Sequence, residues 1–374
     1  MSAADADVIV VGAGPAGAAA AIVLARSGRR VILADRASFP RDKCCGDGIT
    51  GAALPRLTEL GLDPGRVASW REVDQSVFVS PSGRGVPLST GRSGTGVLAI
   101  ATRADLDAAL VDVARAAGAR VVEEARLETA SLSADCVTVG FAGLGVLRAP
   151  YVLAADGAWS PTRRALDTDS EPELPKWQAA RTYVDGVSGA AATEARVWFD
   201  ADLLPGYAWS FPLADGRANV GVGALRTAGG GGGWIVRRLA ALLEAGQVRS
   251  FLGGEAASPA RTVVWPIPTE LRRANLIGGG GRVLFAGDAV GATDPMTGEG
   301  IAEALQTGVL AAQALAAERP SQYVSGAARA LVWRQRRRQL CSNLLRSRTL
   351  ATAGLTVADS NDWTRRQFTR WIFM

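Results

Sequence analysis

The first 36 residues contain the pattern that most constrains the fold. A β-branched run at 8–11 (VIVV) is typical of a buried parallel strand, and a GxGxxG turn follows it directly. Gly12 permits the tight turn, Gly14 lets a pyrophosphate approach the backbone, and Gly17 lets the next helix pack close to the strand. The order of strand, glycine turn and helix therefore predicts a dinucleotide-binding βαβ unit.

The residues after the glycines support this interpretation. Residues 18–25 are small, apolar and helix-forming, so this helix would direct its unpaired N–H groups and partial positive charge at the phosphates. Residues 30–34 supply a second strand. Asp35 ends that strand about 18 residues past Gly17, where a carboxylate can accept hydrogen bonds from a ribose. The fingerprint alone does not separate NAD from FAD.

The composition is that of a globular protein, and it lacks histidine. With 374 residues, 48% of them hydrophobic and 21% charged, the chain can bury a large core in two lobes. No apolar run reaches the roughly 18 to 20 residues that a membrane span needs. The absence of histidine excludes Ser-His-Asp hydrolysis, histidine zinc sites and a histidine-linked flavin. A cofactor is then best suited to the difficult chemistry, and any proton must come from tyrosine, cysteine, a carboxylic acid or water.

Cysteine use and the N-terminus both predict a cytoplasmic protein. The four cysteines (Cys44, Cys45, Cys136 and Cys341) form no CxxC pair, and adjacent Cys44 and Cys45 are poorly placed for a structural bridge. No basic segment followed by an apolar one opens the chain, so we expect no signal peptide. We also expect no metal site.

Positive charge is concentrated towards the C-terminus, although the whole chain carries only +5. Ten arginines between Arg329 and Arg370 face only Asp359 and Asp362. Such a segment suits an anionic substrate, an acidic reductant protein, a membrane surface or simply a solvated helix. Arginines and aromatic residues mix in 363–374, which is typical of an amphipathic surface helix or of a terminal helix docked on the body, and we favour the docked helix.

Hydrophobic periodicity predicts the remaining elements. Predicted helices span 52–60, 234–245, 301–317 and about 324–350, and another begins at 103 with Thr102 as its N-cap. Predicted strands include 97–101, 119–123, 151–155 and 282–286, a hairpin over 73–79 and 84–88, and a meander over 126–131, 136–141 and 146–149. From about Ser170, strands at 181–185, 195–199, 207–212 and 218–225 are typical of an antiparallel sheet. Residues 229–233, all glycine, predict a flexible linker or lid.

Two later strand ends carry acids and glycines. Their residues are Asp156, Gly157, Gly287, Asp288, Pro295, Gly298, Gly300 and Ile301. A carboxylate at a strand end can accept a hydrogen bond from a ribose or ribityl hydroxyl. Glycines before a helix leave room for a flavin ring and offer N–H groups. As plain structure, the same segments would be turns and a helix start.

These segments and the fingerprint together resemble the FAD-dependent oxidoreductases of the para-hydroxybenzoate hydroxylase type, and within that group the geranylgeranyl reductase family. The loop 40–48 (PRDKCCGDG) matches the family pattern P-x-x-K-x-C-G-x-G. Residues 207–212 (YAWSFP), followed by the GVG at 221–223, match the YxWxFP…GxG signature of the substrate lobe. The resemblance runs from Asp7 to about Ala317, and the stretch after it carries no family motif.

The resemblance implies an α/β fold. A Rossmann-type FAD-binding domain would contain an inserted antiparallel β-sheet substrate domain and be followed by a C-terminal helical segment. It places the FAD-binding domain at 1–70, 97–170 and 275–320, the substrate domain at 71–96 and 171–274, and the helical region at 321–374.

The resemblance also implies site residues. Those expected to bind FAD are Gly12, Gly14, Pro15, Ala16, Gly17, Asp35, Arg36, Lys43, Cys45, Gly46, Gly48, Arg103, Asp156, Gly157, Gly287, Asp288, Pro295, Gly298, Gly300 and Ile301. Those expected to bind the substrate are Tyr207, Trp209, Phe211 and Pro212, since alternate residues of a strand share one face and can line an apolar tunnel. Cys45 and Tyr207 are the two candidate proton donors, and the sequence does not choose between them.

The implied activity is reduction of C=C bonds in a prenyl or other lipophilic or secondary-metabolite substrate, by hydride transfer from reduced FAD. NAD(P)H or another external reductant, such as a ferredoxin, would reduce the FAD in a ping-pong cycle. The run at 278–281 precedes a strand and not a helix, so it is no second fingerprint, and NAD(P)H would bind without a domain of its own.

Two other functions stay open. A flavin-dependent monooxygenase or halogenase of the same fold is disfavoured because Val290 and Gly291 stand where hydroxylases often have histidine, and because the halogenase motif WxWxIP is missing. A flavin-binding interaction protein, whose basic tail docks on a partner or a membrane, is the other alternative.

Overall fold

The computed structural model describes residues 4–90, 98–166, 175–226, 232–254 and 258–374. The predicted glycine linker at 229–233 lies outside these ranges except for residues 232–233, which begin a helix. The domain boundaries predicted at 96–97 and near residue 170 also fall outside the described residues.

The strands of the described residues are β1 (Val8–Val11), β2 (Val31–Ala34), β3 (Gly48–Thr50), β4 (Arg71–Val73), β5 (Gln75–Val79), β6 (Gly85–Ser89), β7 (Leu98–Ile100), β8 (Arg120–Val122), β9 (Leu127–Leu132), β10 (Val137–Phe141), β11 (Gly145–Ala149), β12 (Tyr151–Ala154), β13 (Trp177–Asp185), β14 (Ala195–Trp198), β15 (Tyr207–Pro212), β16 (Ala218–Leu225), β17 (Ser258–Pro259), β18 (Val263–Ile267), β19 (Ile277–Gly278) and β20 (Val283–Phe285). The α-helices are α1 (Pro15–Arg26), α2 (Leu54–Glu59), α3 (Arg103–Ala116), α4 (Pro161–Ala165), α5 (Gly232–Glu244), α6 (Gly246–Leu252), α7 (Ile301–Ala316), α8 (Ser321–Ala327), α9 (Trp333–Leu344), α10 (Arg348–Ala358) and α11 (Asp362–Phe373).

A six-stranded sheet of order β19-β20-β12-β1-β2-β8 forms the nucleotide-binding half. β1 pairs in parallel with both β2 and β12, so Val10 lies opposite Leu33 on one side and Leu153 on the other. β20 and β8 extend the sheet in parallel, whereas β19 at the edge runs antiparallel. All of β1 is buried, as expected of a central parallel strand.

Small residues let α1 pack tightly beside this sheet. A Cβ on Gly17 would lie 1.8 Å from the carbonyl oxygen of Gly12, and one on Gly308 of α7 would lie 2.1 Å from that of Ala16. Both helices are alanine-rich and buried along most of their length. This packing holds the N-terminus of α1 at the carboxyl end of β1. The helix predicted to begin at residue 103 is α3, and its predicted N-cap is confirmed because Thr102 Oγ1 accepts a hydrogen bond from the Asp105 N–H.

The second half is a larger sheet of order β17-β13-β16-β15-β14-β5-β6, with β18 also paired to β13. β13, β16, β15 and β14 are antiparallel neighbours, as the alternating pattern predicts. β5 departs from that pattern and runs parallel to β14. These two strands are far apart in the chain, so no hairpin sets their relative direction. The predicted meander is present as a separate three-stranded sheet of order β11-β10-β9. Another small sheet has the order β3-β7-β4.

The C-terminal region differs from the prediction of one long helix over about 324–350. α8 continues through a π-helical turn at 328–332 into α9, and α9 ends at Leu344. Ser347 then caps α10, because its hydroxyl accepts a hydrogen bond from the Leu350 N–H. A serine at this position offers the backbone a local partner that competes with continuing the first helix.

The last helix is docked on the body, which confirms the favoured of the two readings. Asn361 and Thr364 form a capping box at the start of α11. At its end Phe373 is buried, 6.1 Å from the Phe78 ring, and its carbonyl accepts a hydrogen bond from the Ala52 N–H. In the described ranges, every helix is too short or too polar to cross a bilayer.

Candidate functional site

One cavity of about 760 Å³ joins the two halves. It is lined by the glycine turn after β1, the loop at 40–48 that we call the Cys loop, and the loop at 294–300 before α7. It is also lined by the aromatic side chains of β15 and by residues of α10 and α11. The predicted nucleotide and substrate segments therefore meet in one continuous space, and the C-terminal helices form part of its wall.

The glycine turn has the geometry that its sequence predicts. Gly12 has φ +97°, and a Cβ there would lie 2.4 Å from the carbonyl oxygen of Ala155. Gly14, Pro15 and Ala16 line the cavity. Gly12 and Gly17 lie behind them and are needed for close packing. Among the described residues other than its chain neighbours, only side-chain atoms lie within 4 Å of a Cβ placed on Gly14, so this is the point where a ligand can approach the backbone.

Two arginines face the open side of Gly14. A Cβ on Gly14 would lie 3.6 Å from Arg41 Nη2 and 3.8 Å from Arg103 Nη2. Buried Asp107 accepts hydrogen bonds from Arg103 Nε at 2.8 Å and Nη2 at 2.7 Å, and it lies 3.0 Å from Arg41 Nη2. One carboxylate between two guanidinium groups leaves a net positive charge next to the N-terminus of α1. This arrangement suits a pyrophosphate.

Asp107 stabilises the charged form of Arg103. Burial by itself would lower the pKa of Arg103, but the charge of Asp107 and the hydrogen bonds to it raise that pKa above its ordinary value. Arg41 Nη1 is buried and has no hydrogen-bond partner within the described part of the chain. A buried donor without a partner is costly, so a bound anion would satisfy it.

Asp35 lies beside the glycine turn, where the fingerprint predicts it. Its carboxylate accepts hydrogen bonds from the Ala13 N–H at 2.7 Å and the Ala37 N–H at 2.9 Å. Each oxygen retains a second acceptor position, which a ribose hydroxyl can use. Arg36, also predicted to bind FAD, is exposed and does not line the cavity.

Asp156 and Gly157 have different roles, since Asp156 supports a helix start and Gly157 lines the cavity. Asp156 accepts a hydrogen bond from the Thr162 N–H at 2.8 Å and so holds the start of α4, and burial raises its pKa. It does not line the cavity, whereas Gly157 does, with φ +87°.

Asp288 and Lys43 form an ion pair across the cavity lining. The distance from Lys43 Nζ to Asp288 Oδ2 is 2.9 Å. Burial would raise the pKa of Asp288, but the Lys43 charge and hydrogen bond hold it below the ordinary value. Asp288 is therefore an anion with a second oxygen that accepts from Thr293 Oγ1 at 3.4 Å. The pair brings a residue of the Cys loop against the end of β20, 245 positions away.

The 294–300 loop is held by acids that the sequence analysis did not select. Glu299 Oε1 accepts hydrogen bonds from the Ile301 and Ala302 N–H groups at 2.8 and 3.0 Å, and so caps α7. Burial raises the pKa of Glu299. Asp294 Oδ1 accepts from the Met296 and Thr297 N–H groups. Gly298 has φ +66° and lines the cavity with Pro295, Gly300 and Ile301.

Helix α9 supports this loop from behind. Arg338 Nε lies 3.1 Å from Asp294 Oδ2, with both side chains almost fully buried. Arg334 pairs with Glu303 at 2.6 Å, and Gln335 donates to the carbonyls of Gly291 and Thr293. Three of the C-terminal polar residues are thus internal supports of the site, not solvated charges.

Tyr207, Trp209 and Phe211, which we call the aromatic stripe, share one face of β15 and all line the cavity. Their rings follow one another at centroid distances of 6.0 and 6.4 Å. The GVG of β16 makes room for the stripe, because a Cβ on Gly221 would lie 2.2 Å from Trp209 Cζ2. Pro212, also predicted to bind substrate, is buried and does not line the cavity.

The Cys loop packs directly on the aromatic stripe. A Cβ on Gly46 would lie 3.4 Å from Trp209 Nε1, and one on Gly48 would lie 3.3 Å from Phe211 Cε2. The two glycines therefore let the loop approach the aromatic rings closely. Cys45 lines the cavity between them and the nucleotide side.

A buried polar network fixes that contact, and the sequence analysis missed it. Asp47, buried and with φ +62°, accepts hydrogen bonds at Oδ2 from Tyr183 Oη and Asn219 Nδ2, both at 2.8 Å. Asn219 Nδ2 also donates to the Cys45 carbonyl at 2.8 Å, and its Oδ1 accepts from Trp209 Nε1 at 2.9 Å. Asn219 thus connects the Cys loop with the middle ring of the stripe.

Both predicted proton donors hold their protons at neutral pH. Burial raises the pKa of the Cys45 thiol and of the Tyr207 phenol. The Tyr207 hydroxyl donates a hydrogen bond to the Thr297 carbonyl oxygen. Cys45 lines the cavity. Burial also raises the pKa of Cys44 to about 12, and its thiol is directed at the Val263 carbonyl.

Among the site residues that the sequence analysis missed, three carried a local signal. Asp107 follows Arg103 by four positions on a predicted helix, the spacing at which an acid and a base pair. Asp294 and Glu299 accept hydrogen bonds from N–H groups two and three positions later, as turn and cap residues do. Arg41, Asp47 and Asn219 have no such signal, because their partners lie on other elements.

These residues fit FAD. The glycine turn, the arginine pair and the Lys43–Asp288 pair offer sites for a dinucleotide, and the cavity continues from them to an apolar wall. The fold and the site together define a flavoprotein.

Comparisons with known proteins agree with this class. Residues 5–199 match the family described as FAD binding domain. Menaquinone reductase from Mycolicibacterium smegmatis is 33% identical over 86% of this chain and 78% of its own length. Digeranylgeranylglycerophospholipid reductase 1 from Methanopyrus kandleri is 32% identical over 82% of this chain and 79% of its own length. The chain belongs to the geranylgeranyl reductase family of FAD-dependent oxidoreductases.

Solved structures show the same fold. A geranylgeranyl bacteriochlorophyll reductase-like protein from Thermoplasma acidophilum superposes with a TM-score of 0.79 at 20% identity, over 95% of this chain and 92% of that one. The halogenase PltM in complex with phloroglucinol and FAD superposes with a TM-score of 0.70 at 18% identity, over 97% and 85%. The fold is therefore shared by a protein named as reductase-like and by a halogenase, and it does not separate the two activities.

Proposed function

We propose that this enzyme reduces C=C bonds in a prenyl or similarly lipophilic substrate. The observation that carries the proposal is the single cavity that runs from the nucleotide side past Cys45 to the aromatic stripe. A wall of aromatic and aliphatic side chains gains a few kcal/mol from burying an apolar chain. The relatives named menaquinone reductase and digeranylgeranylglycerophospholipid reductase support the same substrate class.

The residues divide by role. We propose that Gly14, Arg41 and Arg103 hold the pyrophosphate of FAD, Asp35 a ribose hydroxyl, and Asp288 the ribityl chain. Reduced FAD supplies the hydride. The other residues that were predicted to bind FAD and that line the cavity surround these parts of the cofactor. Gly12 and Gly17 do not line the cavity and instead shape the glycine turn.

The protein must also supply a proton to the carbon that does not receive the hydride. We propose Cys45 as the donor in preference to Tyr207. Cys45 is protonated and lines the cavity, whereas the Tyr207 hydroxyl directs its proton at the Thr297 carbonyl. Tyr207 then closes the wall at the 294–300 loop.

NAD(P)H or another external reductant completes the proposal. Residues 279–281 form a short 3₁₀ turn before β20, so they do not build a second nucleotide site of the fingerprint type. A reductant that visits the cavity, or a protein that passes electrons to it, suits the described residues equally.

The proposal is tested by reducing the purified protein by light under anaerobic conditions and adding candidate alkenes. We expect mass spectrometry to detect a product two mass units heavier, with reoxidation of the flavin in the absence of oxygen. The same incubation with NAD(P)H in place of light identifies the reductant. A product that gains an oxygen or a halogen atom, and forms only when oxygen is admitted, would instead identify a monooxygenase or halogenase.

A further inference from the structure

Exposed large apolar side chains are concentrated in the last three helices. Among the described residues, eleven such side chains are largely exposed, and eight of them lie in 333–374. These eight are Trp333, Leu340, Leu344, Leu350, Val357, Trp363, Trp371 and Met374. Exposed apolar side chains gathered in three consecutive helices are typical of an interaction surface.

Helix α9 separates its two faces sharply. Three of its polar side chains face the body. Arg334 pairs with Glu303 of α7, Gln335 donates to the Gly291 carbonyl before the 294–300 loop, and Arg338 pairs with Asp294 of that loop. Trp333, Leu340 and Leu344 follow at spacings of seven and four, which puts them on one side of the helix, and they are 70%, 65% and 60% exposed. Arg336 and Arg337 are exposed beside them.

Helix α11 repeats this arrangement. Trp363, Arg370 and Met374 have the same spacings of seven and four and are all exposed. The Arg338 guanidinium lies 5.4 Å from the centre of the Trp371 ring and donates to the Trp371 carbonyl, so α9 and α11 are joined. The exposed sides of α9 and α11 therefore belong to one pair of packed helices.

This exposed surface surrounds an opening of the cavity. Leu344, Leu350, Val357 and Trp371 are exposed and also line the cavity that contains the aromatic stripe. An apolar path thus leads from the surface of the protein to Trp209. A lipophilic substrate can follow this path without crossing water.

Charge divides the molecule in the same place. Residues 333–374 carry nine arginines and two aspartates, while the rest of the chain carries 32 basic and 34 acidic side chains. Both aspartates pair with Arg365, and Asp359 pairs with Arg84 as well. The excess of positive over negative side chains therefore lies in the C-terminal helices that surround the opening.

We propose that α9, α10 and α11 dock on the surface of an anionic lipid bilayer, with the cavity opening towards the hydrocarbon. Tryptophan and arginine beside aliphatic side chains are typical of helices that lie in a membrane interface. Anionic headgroups match the arginines. A second copy of the chain would bring two positive surfaces together, and a soluble protein would close the opening. The inference rests on the lipophilic substrate of the proposed function.

The test is co-sedimentation of the FAD-loaded protein with vesicles of phosphatidylcholine alone or mixed with phosphatidylglycerol. We expect binding to the mixed vesicles and much weaker binding to the neutral ones. Neutralising each arginine near an anionic surface costs about fivefold in partitioning. Arg336→Gln with Arg337→Gln is therefore expected to weaken binding about 25-fold. Arg120→Gln with Arg126→Gln, at exposed positions outside the C-terminal helices, is the matched control and should bind as the unmodified protein does.

A second readout reports depth. Brominated lipids quench tryptophan that enters the interface, and we expect this quenching to fall when Trp333→Phe is combined with Trp363→Phe. Equal binding to neutral and mixed vesicles, or equal binding of the Arg336/Arg337 variant and its control, would overturn the proposal. Dimers that dissociate when Leu340→Ser is introduced would assign the surface to a second copy instead.

Docking and catalysis fail separately in these experiments, because vesicle binding is measured without substrate. Binding without reduction of any alkene would leave the docking surface and remove the proposed function. Reduction of a short, water-soluble alkene without vesicle binding would support the proposed function and overturn the docking surface.

Discussion

At the residue scale, the features that matter most are buried charged groups whose partners lie far away in the chain. Asp47 is the clearest case. Burial raises its pKa from 3.8 to about 6, although hydrogen bonds from Asn219 and Tyr183 oppose the shift. The folded protein therefore binds this proton more tightly than the unfolded chain does.

This shift predicts a specific dependence of stability on pH. The stabilisation by protonated Asp47 is fully present below about pH 4 and is lost as the pH rises through about 6. Relative to Asp47→Asn, we expect the unmodified protein to lose up to about 3 kcal/mol of unfolding free energy between pH 4 and pH 7. Urea unfolding of both proteins at the two pH values measures this difference. A difference that does not change with pH would contradict the assignment.

Arg41 leads to a prediction on cofactor binding. A charge-assisted hydrogen bond to a phosphate contributes about 1.5–3 kcal/mol, so Arg41→Gln should weaken FAD binding by about tenfold or more. Fluorescence titration of the apoprotein with FAD measures the change. Arg120→Gln, which removes an exposed arginine of β8, serves as control and should leave the dissociation constant unaltered. An unaltered constant in Arg41→Gln would place the pyrophosphate elsewhere.

At the element scale, β15 and β16 form one functional unit. The two-residue period of β15 aligns the stripe, and the glycines of β16 accommodate Trp209. Removing the indole should therefore damage the substrate wall and leave the distant nucleotide side intact.

Trp209→Ala is accordingly expected to raise KM for a lipophilic substrate about tenfold or more, with FAD still bound, because a large apolar contact area is lost. Trp209→Phe keeps most of that area and loses only the hydrogen bond to Asn219, so its KM should lie close to that of the unmodified enzyme. Steady-state kinetics and the flavin absorbance of each variant are the measurements. Trp159→Ala, outside the cavity, controls for the loss of a tryptophan. If Trp209→Ala leaves KM unaltered, the stripe is not the substrate wall.

At the scale of the whole molecule, the cavity is complete only when the nucleotide-binding half, the larger sheet and the C-terminal helices come together. α11 contributes Phe368, Ile372 and Phe373 to its lining, and the two phenylalanine rings pack against Phe78 of β5. The C-terminal helices are therefore part of the cavity wall and not an appendage.

A chain ending at Ser360 tests this view. We expect it to bind FAD, to lose turnover of lipophilic substrates, and to unfold at a lower temperature, because Phe373 and its neighbours no longer cover Phe78. Phe373→Ala should give an intermediate result, with a loss of about 3–5 kcal/mol in unfolding free energy. Thermal unfolding, flavin absorbance and kinetics check the three expectations. Full turnover in the shortened chain would show that α11 is dispensable.

Much of the fold was predictable because its signals are local. The glycine turn, the N-cap Thr102 and the alternation of β15 each depend on backbone conformation or on residues a few positions apart. The same holds for the strands from 181 to 225, which the structure confirms. The single helix predicted over 324–350 is wrong because the break at Ser347 depends on a side-chain cap that helical periodicity does not reveal.

The sequence by itself determined the βαβ unit and the residues of the stripe, since short-range sterics and strand periodicity govern both. Its motifs also identified the family, by resemblance. Only the tertiary structure decided which charges meet. Arg41 of the Cys loop pairs with Asp107 of α3, Asn219 joins Asp47 across 172 positions, and Arg338 pairs with Asp294. These pairs form between elements that approach only when the core closes, so their energies depend on burial and not on spacing along the chain.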